Sequence, residues 1–256
     1  MSELLSITTR GHVCQIRLNR PEKKNALTLP LYEGLTAALI SADENPDVRV
    51  IVLGSTGDSF CSGNDIADFI AAAGRPDAVK IPLQFLHTIA SLKKPVIAVV
   101  PGAAVGIGTT LLLHCDLVIA SDQARFQLPF ARLGLVPEGG SSLLIPQLVG
   151  HRRAFELLVM GESFSAATAR DLGLINQVVM HHSLEDLAML QAEKLAGLAP
   201  EAVRQSKAML RSYTQSQLEE VMMAEVEQFA ARLGSAEAAE ALQAFMEKRE
   251  ADFSRF

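Results

Sequence analysis

Val96-Ile97-Ala98-Val99-Val100-Pro101-Gly102-Ala103-Ala104-Val105-Gly106-Ile107-Gly108 runs from five apolar residues through a Pro-Gly break into a loop of small residues. The apolar run is mostly β-branched and predicts a strand buried on both faces. Pro101-Gly102 ends it, and the chain from Leu111 onward predicts a helix. No charged residue occurs between Pro95 and Leu113, a length that would cross a bilayer. Pro101, Gly102, Gly106 and Gly108 interrupt that run in its middle, so it divides into strand, glycine loop and helix instead of a membrane span.

The same alternation recurs on both sides. Upstream, Cys14, Ile16 and Leu18 alternate with Val13, Gln15 and Arg17, which predicts a half-buried strand. Arg20-Pro21-Glu22-Lys23-Lys24-Asn25 is a polar turn. Thr28 offers an N-cap to a helix that carries Leu31, Leu35, Ala38 and Leu39 on one face. Val48 to Leu53 predicts a second buried strand, Gly54 to Gly63 a loop and Ile66 to Ala73 a helix. Downstream, Leu117 to Ala120 and Leu174 to Val179 predict strands, and Arg152 to Met160 and Ala166 to Leu172 short helices. Strands alternating with helices imply an α/β architecture with much parallel pairing.

After Ser183, which forms a capping pair with Asp186, the chain is helix-like almost to its end. Leu218, Val221, Met222, Glu225, Val226 and Phe229 keep helical spacing, as do Ala239, Leu242, Phe245 and Met246, with Gly234-Ser235 between the two sets. The expected organisation is an α/β core over residues 1–199 and a helical region over 200–256, suited to packing on a neighbouring subunit.

Composition narrows the class of protein. Of 256 residues, 49% are hydrophobic and 20% charged, which suits a folded globule and argues against disorder. The net charge is −6 and there is no basic block, so no attraction to nucleic acid or an anionic membrane is expected. Cys14, Cys61 and Cys115 form no metal or redox pattern and read as small buried hydrophobes in a reduced compartment. The N-terminus lacks a secretory pattern and Ser254-Arg255-Phe256 is not a peroxisomal address, so a cytoplasmic location is expected.

Several familiar motifs fail. Gly106-Ile107-Gly108 lies between a strand and a helix, but a dinucleotide fingerprint needs a third glycine where Leu111 stands. The sequence has no GxxxxGK[ST], HExxH or GxSxG. His114-Cys115-Asp116 cannot form a relay, because consecutive side chains diverge. Those three residues read as structural, and His181-His182 as a solvated pair before a helix.

Three segments carry chemistry in combination. Phe60-Cys61-Ser62-Gly63-Asn64-Asp65-Ile66 and Pro101 to Gly108 are small-residue loops between strand and helix, whose free amides can stabilise a developing oxyanion. Leu133-Gly134-Leu135-Val136-Pro137-Glu138-Gly139-Gly140-Ser141-Ser142 sets one carboxylate among apolar residues, where burial can raise its pKa. Each loop alone could be a tight turn, and Glu138 alone a first-turn helix residue.

Together these segments resemble the crotonase, or enoyl-CoA hydratase/isomerase, superfamily from about Ile7 to the C-terminus. CSGND with VPEGGSS is most similar to the Δ3,Δ2-enoyl-CoA isomerases. The resemblance implies a spiral of ββα units followed by a C-terminal helical trimerisation region. It implies an acyl-CoA thioester substrate, with coenzyme A as part of that substrate and no separate cofactor or metal, and a homotrimer or dimer of trimers. It places the oxyanion amides at Asn64 and Ile107 and the catalytic carboxylate at Glu138. Ser62, Gly63, Asn64, Asp65 and Ile66 would meet the substrate, with the Ser62 backbone at the adenine. Lys24 and Ala26 would lie along the coenzyme A, and Phe245 and Lys248 match an FxxK spacing that can reach a neighbour's coenzyme A.

The departures matter as much. Hydratases of the superfamily carry two glutamates, at positions that the glycine loops align with Thr110 and Phe130. Neither residue is a carboxylic acid or base, whereas the isomerase position holds Glu138. The expected reaction is therefore the shift of a 3-enoyl-CoA double bond to the 2-trans position. The alternative is 2-enoyl-CoA hydration or another crotonase-type acyl-CoA reaction, such as ring-opening isomerisation, and the non-enzymatic one is coenzyme A binding without catalysis.

Overall fold

A computed structural model of the chain describes residues 4–72 and 76–256. The chain begins with strands β1 (Leu5–Arg10) and β2 (Val13–Leu18), then helix α1 (Leu29–Glu44), β3 (Val50–Ser55), α2 (Ile66–Ala72) and α3 (Pro76–Ser91). The middle holds β4 (Val96–Val100), β5 (Ala103–Val105), α4 (Ile107–Thr110), β6 (Leu117–Ser121) and β7 (Arg125–Gln127). There follow α5 (Ser141–Val149), α6 (His151–Phe155), β8 (Phe164–Ser165), α7 (Ala166–Asp171), β9 (Gln177–Val179) and α8 (Leu184–Ala196). Helices α9 (Pro200–Ser212), α10 (Gln215–Leu233) and α11 (Ala236–Glu247) complete the chain. No helix among the described residues is long and apolar enough to cross a membrane.

Strands β1-β2-β3-β4-β6-β9 form one sheet in that order, antiparallel only between β1 and β2. A second sheet contains β5-β7-β8. β4 and β5 are adjacent in the chain yet belong to different sheets, and so are β6 and β7. Each pair turns a corner, so the backbone winds as the expected spiral of strand pairs and helices.

Burial on both faces explains why the central strands read clearly in the sequence. Ile51, Leu53, Val96 and Ala98 face a core shared with Leu31, Leu35 and Leu39 of α1 and Phe85 and Ile89 of α3. Val50, Val52, Ile97 and Val99 face Leu184, Ala188, Ala192 and Ala196 of α8. Each fully buried large side chain contributes roughly 1.5–3 kcal/mol relative to exposure. Thr28 caps α1 as expected, its hydroxyl accepting from the Leu31 N–H at 3.4 Å.

Several expectations change in detail. Val13 is 1% exposed, not on an open face, because α8 covers that side of β2. Ser183 does not cap α8 with its side chain: the turn His181–Ser183 runs straight into the helix, so Ser183 is already in helical geometry. The strand expected from Leu174 pairs only over Gln177–Val179, because the Asn176 side chain takes the Val118 N–H at 2.7 Å. Helical structure also begins before Leu111, at Ile107, and continues as a tighter turn to His114. Ala73, the expected end of α2, lies outside the described residues.

Helix α9 is tied to the core by ions. The buried Lys207 ammonium donates to Asp116 Oδ2 and to the Lys94 carbonyl, each at 2.7 Å. Arg211 donates to Asp116 Oδ1 at 2.8 Å and to the His114 carbonyl at 2.7 Å. Asp116 thus serves the structural role expected of it, and removing one partner from such a buried pair typically costs about 3–5 kcal/mol.

Candidate active site

The first two chemistry-bearing loops are laced together by their backbones. Cys61 N–H donates to the Ala103 carbonyl at 3.0 Å, and Val105 N–H donates to the Cys61 carbonyl at 2.9 Å. Gly108 permits this approach: a Cβ there would lie 2.4 Å from the Cys61 carbonyl oxygen. Asn64 and Ile107 follow this lacing on their respective loops and line the same cavity. Ile107 opens α4, so its N–H has no intrahelical acceptor. Among the described residues, neither the Asn64 nor the Ile107 N–H donates to another group of the protein. Two free amides from residues lining one cavity are donors suited to an oxyanion.

Polar side chains hold these loops in place. The Tyr32 hydroxyl donates to Asn64 Oδ1 at 2.6 Å, and the ring packs edge-on against Phe85. Thr109 Oγ1 donates to the Ala104 carbonyl at 2.6 Å. The fully buried Asn25 amide donates to the Thr56 and Ser59 carbonyls at 2.9 and 2.8 Å, while its oxygen accepts the Arg20 N–H. The polar turn is thereby fixed beside the first loop, where the Ser62 N–H donates to the Lys24 carbonyl at 3.0 Å.

Glu138 projects into the same cavity from the third segment and is 6% exposed. Burial pushes its carboxyl up to about 8, the nearby Glu225 adds to the rise, and a 3.1 Å hydrogen bond from the Thr110 hydroxyl works against it. Such an acid can hold or release a proton near neutral pH. Burial also raises the Tyr32 phenol well above its ordinary value and pushes the Cys61 thiol up to about 12, leaving both protonated.

The cavity has a volume of about 290 Å³. Ser62, Gly63, Asn64, Ile66, Ile107, Glu138 and Phe245 all line it, with Phe130, Phe229 and Leu242 among its apolar walls. Asp65 instead faces the polar turn, where Arg20 holds it at 2.7 Å and lowers its carboxyl. The Lys24 carbonyl borders the Ser62 edge, the Ala26 carbonyl instead accepts from the Arg20 guanidinium at 3.1 Å, and Lys248 sits exposed where α11 ends. Thr110 is the hydrogen-bond donor to Glu138, and the Phe130 ring packs in the wall. Among the described lining residues, Glu138 is the one ionisable group.

Sequence reading did not find the roles of Tyr32 and Glu225. Tyr32 falls on the buried face of α1 and looks like ordinary core. Glu225 gave a faint signal, an acid at a core-facing position in an otherwise apolar stripe. Its carboxylate accepts from Gly140 N–H, Ser142 N–H and Ser142 Oγ at 2.6, 2.9 and 2.5 Å. From the opposite side His114, buried and pushed down to about 4, is neutral and donates Nε2–H to the Gly139 carbonyl at 2.8 Å.

The chain is similar to known proteins over almost its whole length. A solved enoyl-CoA hydratase/isomerase from Pseudoalteromonas atlantica superposes with a TM-score of 0.92 at 39% identity, covering 98% of this chain and 100% of that one. Enoyl-CoA delta isomerase 2 of Rattus norvegicus is 34% identical over 97% of the chain, which spans only 64% of that relative's length. Carnitinyl-CoA dehydratase of Salmonella agona is also 34% identical, over 98% of both chains. The family described as enoyl-CoA hydratase/isomerase matches residues 8–255. A match that leaves only the chain ends outside it, on the same spiral fold, places the protein in the enoyl-CoA hydratase/isomerase family of the crotonase superfamily.

Proposed function

We propose that the protein is a Δ3,Δ2-enoyl-CoA isomerase. The observation that carries this reading is the single ionisable group, Glu138, among the described residues lining the cavity. The family resemblance, which aligns Thr110 and Phe130 with the hydratase acids, supports it. Hydration needs a positioned water and a separate proton donor, whereas a 1,3-proton transfer needs one group that first accepts a proton and then returns it.

In this reading the thioester oxygen of a 3-enoyl-CoA accepts hydrogen bonds from the Asn64 and Ile107 N–H groups. Glu138 removes a C2 proton, and the electron pair delocalises as a dienolate with its charge on that oxygen. Each amide contributes about 3–4 kcal/mol to this charged state. Glu138 then delivers its proton to C4: the C2–H bond breaks, a C4–H bond forms, and C2=C3 replaces C3=C4. Substrate and product have the same composition, so the balance calls for no co-reactant.

The rival reading, enoyl-CoA hydration or a related reaction, is favoured by the similarity to the Salmonella dehydratase over both chains. Purified protein assayed side by side should convert 3-enoyl-CoA at least about a hundredfold faster than it hydrates 2-enoyl-CoA, a ratio within the usual worth of a positioned acid or base. Comparable rates would reverse the assignment. Binding with neither reaction would support the non-catalytic reading.

The same proposal assigns residues 1–199 as the core and 200–256 as an assembly region. Helix α9 and the segment after it leave Met209, Leu210 and Tyr213 70%, 83% and 92% exposed, and α11 leaves Phe245 and Met246 59% and 64% exposed. That much apolar surface suits burial against neighbouring copies. Lys248 would then meet coenzyme A phosphate held by a neighbour, while Lys24, Ala26, Ser62 and Asp65 frame the coenzyme A of their own chain. Light scattering should give the mass of a trimer or a dimer of trimers, and a monomer would defeat the assembly claim. Lys248→Ala should weaken acyl-CoA binding severalfold in a salt-sensitive way, as expected for about 1 kcal/mol of exposed ion pairing, with the chemical step unchanged. An unchanged affinity would remove the phosphate contact.

A further inference from the structure

We infer that Glu225 is a positioning residue for Glu138: from α10, its carboxylate clamps the turn that leads from Glu138 into α5. The inference rests on reading Glu138 as the proton carrier. Three observations support the clamp.

Gly139 and Gly140, at φ +69° and +72°, make a left-handed turn between Glu138 and Ser141. A helix that starts from such a turn has orphan N–H groups, and Gly140 in the N-cap position has no side chain to satisfy them. Glu225 supplies the missing acceptor from another helix, taking Gly140 N–H at 2.6 Å and Ser142 N–H at 2.9 Å. The Ser142 hydroxyl adds a third donor at 2.5 Å.

On the opposite side of the turn, His114 holds the Gly139 carbonyl at 2.8 Å. The Gly139–Gly140 peptide, one residue after Glu138, is thus gripped from two elements, its carbonyl by His114 and its N–H by Glu225, which restricts where the Glu138 side chain can go. Simple helix capping is the plainer account of Glu225. A cap alone, however, needs neither a full charge nor a 7% exposed site on a stripe that otherwise presents Leu218, Met222 and Phe229.

Donors on both Glu225 oxygens leave little room for a carboxyl proton, so the group carries its charge despite burial, which raises its pKa. That charge faces Glu138 and favours the protonated acid. The other titratable groups near Glu138 do not compete. Tyr32 on α1 and Cys61 on the first loop are held protonated by burial, and His114 is neutral. The Thr110 hydroxyl on α4 is the hydrogen-bond donor that favours the ionised form. Glu225 therefore acts on Glu138 through both place and proton affinity.

The test compares full-length wild type, Glu225→Gln and Glu225→Asp. The readouts are 3-enoyl-CoA kinetics across pH and 13C NMR titration of the Glu138 carboxyl, whose resonance is identified by its loss in Glu138→Gln. Glu225→Gln presents an amide N–H2 where the turn offers donors and removes the charge. Its kcat should fall on the order of ten- to a hundredfold, as for a slightly misplaced catalytic group. KM should change little, and both the acid limb and the Glu138 midpoint should move to lower pH. Glu225→Asp keeps the charge but withdraws it by one methylene, so kcat should fall with a smaller midpoint shift. This variant also serves if Glu225→Gln does not fold. Lower melting temperatures with an unchanged midpoint and unchanged kcat per folded enzyme would reduce Glu225 to a structural cap and overturn the inference. A wild type that titrates as described yet does not isomerise 3-enoyl-CoA would overturn the isomerase reading instead, and the NMR comparison would still decide the role of Glu225.

Discussion

Glu138→Gln is expected to fold, to bind acyl-CoA thioesters, and to lose isomerisation by a factor on the order of 10³, within the usual range for a positioned acid or base. The amide keeps the shape of the carboxyl and can still accept the Thr110 hydrogen bond, so the cavity wall should be undisturbed. It cannot accept a proton from C2. The wild-type pH profile should carry the same signature: with Glu138 pushed up to about 8, kcat/KM should rise as pH rises through that value, because the ionised base starts the reaction.

Stability should run the other way. Between the ordinary carboxylate value near 4.5 and the folded-state value near 8, the folded protein binds a proton that the unfolded chain has released. This group therefore favours the folded state less and less as pH rises through that window, and its contribution levels off above about 8. The amide variant escapes that loss, so at pH 9 it should melt at a higher temperature than wild type. Turnover near the wild-type rate would remove Glu138 from the chemistry. Equal melting temperatures at pH 9 would show that its burial does not perturb its ionisation.

Gly108→Ala should be the next most damaging change. Its new Cβ would sit 2.4 Å from the Cys61 carbonyl oxygen and 3.1 Å from the carbonyl carbon. Those are backbone atoms of the other loop, fixed by the Cys61–Ala103 and Val105–Cys61 hydrogen bonds, so no flexible side chain can yield. The loops must separate, which moves the Ile107 N–H away from the oxygen it is proposed to hold. Losing one such donor typically costs on the order of 10²- to 10³-fold in kcat, and overpacking of this kind destabilises by about 1–3 kcal/mol. Circular dichroism would check the fold and stopped-flow turnover the rate. A folded variant with unchanged kcat would separate the loop contact from catalysis.

How much of this was legible depended on what each residue type can reveal. Val96–Val100 was readable to the residue, because a strand covered on both faces must be apolar throughout. β1 has mostly exposed residues at the sheet edge and α3 contains Pro82, so neither shows the pattern that identifies its element. The three site loops were visible through their glycines and the single acid among apolar neighbours. The contacts that hold them were not. Tyr32–Asn64, Thr110–Glu138 and Glu225–Ser142 join positions 32, 28 and 83 residues apart, and no local spacing encodes such pairings.

The division of labour among these segments has an evolutionary reading. The Asn64 and Ile107 amides belong to the backbone and survive almost any side-chain change at those positions, whereas Glu138, the proposed proton carrier, projects from a separate segment. Mutation can therefore replace the proton carrier while the proposed grip on a carbonyl is inherited intact. A lineage built this way can change its reaction without passing through a generation that has lost its ligand.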